Sequence, residues 1–146
     1  MDKILVTGAA GFIGSHLCEK LLENYKVVGV DNLSMGNKDN LKYVLGQKNF
    51  TFHQVDILDH KEFENIFRIH SFKAVFHLAA NSDISTGDFK CDFQNTLSTT
   101  LCVLEKCKVR GIKEFIFTSS GSVYGETSEV VDESYCGFPI SPYAAA

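Results

Sequence analysis

The chain has 146 residues, 45% of them apolar, and sets 14 lysines and arginines against 18 acidic residues for a net charge of −4. That length suffices for one domain with a buried core. The mildly acidic balance, without a basic block, argues against a nucleic-acid partner, and no segment approaches the ~20 apolar residues that span a bilayer.

Lys3-Ile4-Leu5-Val6-Thr7 is a short apolar run ending at Gly8, as in a buried strand. Phe12, Ile13, Leu17, Leu21 and Leu22 then recur at helical spacing, and residues 26–31 form a second strand ending at Asp31. A polar stretch follows, with a weak helix expected over residues 40–45. Residues 51–55 form the third strand. Asp59 is suited to cap a helix that carries Phe63, Ile66 and Phe67 on one face. A fourth strand is expected over 73–78, a long helix over 93–109 and a fifth strand over 114–118, with Ser/Gly-rich loop beyond. Nearly continuous apolar strands alternating with helices predict an α/β fold with a Rossmann-type, doubly wound parallel sheet. Such a sheet binds ligands outside the carboxyl ends of its strands. Residues 1–146 read as a single domain.

Met1-Asp2-Lys3 leads straight into the first strand, so a cytoplasmic protein without a secretory signal is expected. Cys18, Cys91, Cys102, Cys107 and Cys136 include no Cys-x-x-Cys pair. Reduced thiols and no metal site are therefore expected. His77 lies within an apolar strand pattern and is expected to be packed and hydrogen-bonded.

Between the first strand and first helix runs Thr7-Gly8-Ala9-Ala10-Gly11-Phe12-Ile13-Gly14, spaced G-x-x-G-x-x-G. Gly8 can take the tight turn, Gly11 can let a pyrophosphate reach backbone N–H groups at the helix start, and Gly14 can let the helix pack closely on the sheet. Asp31 ends the second strand about 20 residues on, where a carboxylate binds the adenosine ribose hydroxyls and repels a 2′-phosphate. No Arg stands beside it to take such a phosphate, so NAD is favoured over NADP, and an NADPH-dependent carbonyl reductase is disfavoured.

TGAAGFIG, Asp31-Asn32-Leu33-Ser34, Val55-Asp56-Ile57-Leu58, His77-Leu78-Ala79-Ala80, the run Ser119 to Gly125 and Ser141-Pro142-Tyr143 follow one another in register. In this the chain resembles the extended short-chain dehydrogenases/reductases. Within them it is most similar to NAD-dependent nucleotide-sugar epimerases and dehydratases of the UDP-glucose 4-epimerase kind. The resemblance implies NAD as cofactor, held by the glycine turn (Gly8, Gly11, Phe12, Ile13, Gly14), by Asp31, Asn32 and Ser34, and by Asp56 and Ile57 at the adenine. It adds Leu78, Ala79 and Ala80 along the pyrophosphate and ribose, with Thr118 and Tyr143 completing the contacts.

The resemblance also makes Tyr143 the catalytic base toward a sugar hydroxyl and Ser120 its partner on the same oxygen. A tyrosine needs its ordinary pKa near ~10 lowered for that task. In the family a lysine four residues after the tyrosine does so, at the place following Ala146. The 146 residues alone are therefore expected not to turn over substrate, to lack the family's C-terminal substrate-binding part, and to leave an apolar sheet edge beside the fifth strand. A homodimer is one way to cover it.

Dehydrating relatives carry Asp-Glu just before Val-Tyr-Gly, whereas here Gly121 and Ser122 stand there. That favours a 4-epimerase cycle, in which the sugar is oxidised at C4 and reduced on the other face. The alternatives are a non-catalytic NAD-binding or sensing module, and a 4,6-dehydratase or reductase of the same family. The family's helix asparagine falls at Thr96 by spacing, with Asn95 one residue early and Thr99-Thr100 in place of Gly-Thr; the role is left open between the two.

Overall fold

The computed structural model describes residues 1–81 and 88–146. Strands β1 (Lys3–Thr7), β2 (Lys26–Asp31), β3 (Phe50–Gln54), β4 (Ala74–His77) and β5 (Glu114–Phe117) pair in parallel in the order β3-β2-β1-β4-β5. The chain moves outward from β1 through β2 to β3, then returns to the other side of β1 for β4. That reversal opens a crevice at the carboxyl ends of β1 and β4, as the doubly wound topology requires. In register, Thr7 lies between Val30 and His77 at this rim.

Alternate strand residues fill two cores. Leu5, Val28, Val30 and Val75 pack with Phe63, Ile66 and Phe67 of helix α2 (His60–Ile69) and with Cys102, Val103 and Cys107 of helix α4 (Thr99–Arg110). Ile4, Val6, Val27 and Ala74 pack on the other face with Ala9, Ala10 and Cys18, the last on helix α1 (Phe12–Leu21). Burial on both faces explains why these strands read as unbroken apolar runs. Asp59 caps α2, its Oδ1 accepting from Lys61 N–H at 3.1 Å and Glu62 N–H at 3.0 Å.

Three expectations are corrected. The helix expected over 40–45 is instead a 3-10 turn, Lys38–Leu41, capped by Asn37 and followed by turns up to Gly46 at φ +87°. Only Leu41 and Val44 point inward there, too little apolar surface to anchor a full helix. The long helix begins earlier than expected, with a one-turn helix α3 (Phe89–Asp92) capped by Asp88. A π-helical turn, Phe93–Ser98, then joins it to α4, which ends at Gly111 in the left-handed region. The segment read as loop also contains a 3-10 turn, Gly121–Tyr124, and the one-turn helix α5 (Pro142–Ala145).

β5 forms one edge of the sheet, with Ile116 and Phe117 exposed. All five cysteines are free thiols, and burial pushes Cys18 up to about 12 and Cys107 up to about 11. Among the described residues no helix is long and apolar enough to cross a membrane, and no cluster of three His, Cys, Asp or Glu is placed to hold a metal.

Candidate functional site

A cleft of about 430 Å³ lies at the carboxyl ends of β1, β2 and β4. Its floor is the glycine turn. Gly8 leaves β1 at φ +69°, and a Cβ there would fall 2.8 Å from both Leu78 C and Ala79 N, so only glycine both turns and fits. A Cβ on Gly14 would lie 2.1 Å from Gly8 O, which makes close packing of α1 on the turn dependent on glycine. Gly11 N-caps α1 without any side-chain hydrogen bond, and no acidic residue occupies the first turn. The first N–H groups of α1 therefore face the cleft uncapped, and the helix dipole favours an anion there.

Asp31 stands at the end of β2 and is tied to both flanks of the cleft. Its Oδ2 accepts from Ala10 N–H at 2.9 Å and its Oδ1 from Leu33 N–H at 2.8 Å. The second bond holds Leu33 at φ +61°, the one non-glycine positive φ among the described residues. Gly36 passes so close that a Cβ would meet Asp31 Oδ1 at 2.9 Å. Across the same rim Asn32 Nδ2 donates to Asp56 Oδ2 at 3.1 Å, while Asn32 Oδ1 accepts from the Ser34 hydroxyl at 2.7 Å. Leu58 N–H fixes Asp56 Oδ1 at 2.8 Å. These bonds leave lone pairs on both carboxylates for hydroxyl or amino donors.

The far end is formed by β4, β5 and the long helical stretch. Buried Thr7 and His77 anchor the Leu78–Ala79 backbone, whose two N–H groups each reach Thr7 Oγ1 at 3.3 Å. Burial lowers His77 to about 4, so the ring is neutral at ordinary pH and is a packed residue, as expected. Asn81 follows on the cleft wall. Opposite it the π turn points Asn95 into the cleft, while Thr96 is buried and its Oγ1 accepts from Asn81 N–H at 3.3 Å.

All the expected cofactor contacts except Tyr143 line this one cleft. Ser120 and Tyr143 stand outside its lining. Ser120 caps the Gly121–Tyr124 turn, its Oγ accepting from Ser122 N–H at 3.2 Å. Tyr143 sits in α5, capped by Ser141, and α5 lies against that same turn and the π turn. The two residues thus share a corner beyond β5. Sequence reasoning missed Met35, Gly36, Asn81 and Thr99 as cleft residues. Gly36 had a usable signal, a glycine shortly after the acid-bearing strand; Asn81 and Thr99 had none, because their place depends on how β4 meets the π turn.

Residues 4–146 match the model of the NAD dependent epimerase/dehydratase family. A UDP-glucose 4-epimerase from Erwinia amylovora is 37% identical over 150 residues, which cover 98% of this chain and 44% of that protein. A dTDP-D-glucose 4,6-dehydratase from Dictyostelium discoideum is 40% identical over 132 residues, covering 86% of this chain and 30% of that protein. Among solved structures, a Thermus thermophilus UDP-glucose 4-epimerase in complex with NAD superposes with a TM-score of 0.88 at 37% identity, over 98% of this chain and 46% of that one. The chain spans about half the length, or less, of these relatives.

Proposed function

The chain belongs to the NAD dependent epimerase/dehydratase family, whose cofactor is NAD, and we propose that it forms the NAD-holding part of a nucleotide-sugar 4-epimerase. The cleft suits a dinucleotide. Uncapped N–H groups of α1 would hold the pyrophosphate, Asp31 the adenosine ribose hydroxyls, and Asp56 with Ile57 the edge of the adenine. At the β4–β5 end, Leu78, Ala79, Ala80, Asn95 and Thr118 would hold the nicotinamide half. When bound, NAD supplies the acceptor and donor of hydride.

The remaining chemistry belongs to side chains of this chain. Ser120 accepts from Ser122 N–H and keeps its own O–H to donate to a sugar oxygen. Tyr143 takes a proton from the sugar hydroxyl and returns it, the acid–base half of the reaction. Asn95 fills the role of the helix asparagine, since it faces the cleft and Thr96 does not.

One feature favours epimerase over dehydratase. The turn beside Tyr143 opens with Gly121 and Ser122, so no carboxylate stands there to remove and deliver the protons that loss of water requires. An epimerase needs none. Free thiols at all five cysteines suit a reducing, cytoplasmic compartment.

The test is made on the full-length protein with UDP-glucose and related nucleotide sugars, following C4 interconversion and the bound nucleotide. Tyr143→Phe should lower turnover by at least about 100-fold with NAD retained. Undiminished turnover overturns the assignment of Tyr143. A 4-keto-6-deoxy product from the unaltered protein replaces the epimerase reading with a dehydratase.

A further inference from the structure

Asn81 and Asp92 meet where the chain leaving β4 passes the long helical stretch. Asn81 Nδ2 donates to Asp92 Oδ1 at 2.6 Å, and Asn81 N–H donates to Thr96 Oγ1 at 3.3 Å. Both residues are almost fully enclosed, Asp92 at 3% exposure and Asn81 at 5%. Burying a carboxylate is costly unless hydrogen bonds compensate, and a bond to an ionised acceptor is among the stronger kinds. Asn81 lines the cleft and Asp92 does not, so Asp92 acts on the site through its neighbours.

Asp92 is also the last residue before the π turn. Such a turn is rare and occurs mostly as a single widened turn inside an α-helix, frequently at a functional site. Here it is held on both sides. Downstream, Thr99 Oγ1 donates to Asn95 O at 2.9 Å and Thr100 Oγ1 to Thr96 O at 2.7 Å, engaging carbonyls within the widened turn. Upstream, the Asn81–Asp92 bond ties the turn to the end of β4. The phase of that turn is what brings Asn95, and not Thr96, to the cleft.

We propose that Asp92 is a positioning residue for the nicotinamide ring of the dinucleotide: its bond to Asn81 holds the β4 end against the π turn with Asn95 facing the cleft. This rests on the orientation given above, with adenosine at Asp31 and Asp56 and the nicotinamide toward Asn95.

ADP-ribose has every part of NAD except the nicotinamide, so comparing the two ligands separates the two ends of the cleft. Affinities for NAD and ADP-ribose are measured by calorimetry on the full-length protein freed of nucleotide. Asp92→Ala should weaken NAD by at least about 10-fold and ADP-ribose by no more than about twofold, the loss expected when one well-made polar contact is misplaced. Asp92→Asn keeps an oxygen for the Asn81 amide and should restore NAD binding to within about threefold of the unaltered protein. Adding Asp92→Ala to Asn95→Ala should weaken NAD no further than Asn95→Ala alone, because one acts through the other.

Equal weakening of both ligands, no weakening of either, an Asp92→Asn protein as weak as Asp92→Ala, or additive losses would each overturn the proposal. Should Asp92→Ala not fold, Asp92→Ser, polar but too short to reach Asn81, replaces it with the same readings. Unaltered protein that binds NAD and ADP-ribose equally would overturn the nicotinamide placement itself, and the proposal with it.

Discussion

His77 Nδ1 lies 2.7 Å from Thr7 Oγ1, and this contact fixes the direction of a hydrogen-bond chain across the domain. Thr7 Oγ1 already accepts from Leu78 N–H and Ala79 N–H, so its own proton goes to His77 Nδ1. The other ring nitrogen then carries the proton and donates to Thr100 Oγ1 at 3.0 Å, and Thr100 donates onward to Thr96 O. A neutral ring of one tautomer satisfies every link from the cleft floor to the π turn.

Stability should therefore depend on pH through His77. Burial lowers its pKa to about 4 in the folded state, from an ordinary 6.5. Between those values the unfolded chain binds more protons than the folded one. The stabilisation is complete above pH 6.5 and is lost as pH falls toward 4, by roughly 3 kcal/mol over the window. His70, lowered to about 4 by burial, then by Lys3 and His53, adds a smaller share because it is partly solvated. His77→Leu should cost about 2–4 kcal/mol at pH 7.5, because the buried Thr7 hydroxyl proton loses its acceptor and Thr100 Oγ1 its donor, and should flatten the pH dependence. Urea unfolding from pH 7.5 to 4.5 checks both; equal slopes for variant and unaltered protein would contradict this role.

The glycine turn should separate fold from ligand. A Cβ on Gly14 meets Gly8 O at 2.1 Å, whereas one on Gly11 meets only Gly8 O, at 3.2 Å, and otherwise intrudes on the cleft. Gly14→Ala should destabilise the domain by about 3 kcal/mol or more, since backbone cannot yield as a flexible side chain does. Gly11→Ala should cost under about 1 kcal/mol yet weaken NAD at least about 10-fold. Denaturant melts and NAD titrations of the two variants check this; comparable loss of stability in both would count against the geometry.

The contrast shows what residue spacing can convey. The sheet was legible because its strands are buried on both faces, and the cleft floor because three glycines and Asp31 lie within one βαβ unit. At the π turn spacing leaves two candidates. Counting back from Val103 puts Thr96 in the slot with Asn95 one residue early, and the π turn, which accommodates an extra residue, is what brings Asn95 and not Thr96 to the cleft. The run Thr96-Leu97-Ser98-Thr99-Thr100 has no apolar periodicity that could reveal the change of phase. The 3-10 turn at Lys38–Leu41 departs from the expected helix for a related reason, since two inward residues look alike in a short helix and in a turn.

Asp31 should decide between NAD and NADP. Its two oxygens are held by Ala10 N–H and Leu33 N–H, which aims a fixed negative charge into the cleft. A 2′-phosphate beside it meets like charge, so NAD should bind at least about 10-fold more tightly than NADP. Asp31→Ser should reduce that preference below about threefold, while costing about 1–2 kcal/mol of stability through the two N–H groups left without their acceptor. Competitive binding of NAD and NADP measures the ratio, and an unchanged preference in Asp31→Ser would remove Asp31 as its cause.

Ser120 offers the sharpest check on the corner that holds Tyr143. Its Oγ accepts from Ser122 N–H at 3.2 Å and caps the turn against which α5 packs, so it has both a structural and a chemical part. The two can be told apart. If the free O–H acts on the sugar oxygen, Ser120→Ala in the full-length protein should lower kcat by about 10- to 100-fold, since a donor to a reacting oxygen matters most in the transition state. Ser120→Thr keeps both the cap and the donor and should retain at least about a tenth of the activity. The lost cap alone should cost about 1 kcal/mol, visible in melting but not in kcat. Ser120→Ala with normal kcat and lowered stability would leave Ser120 a capping residue and Tyr143 without its partner.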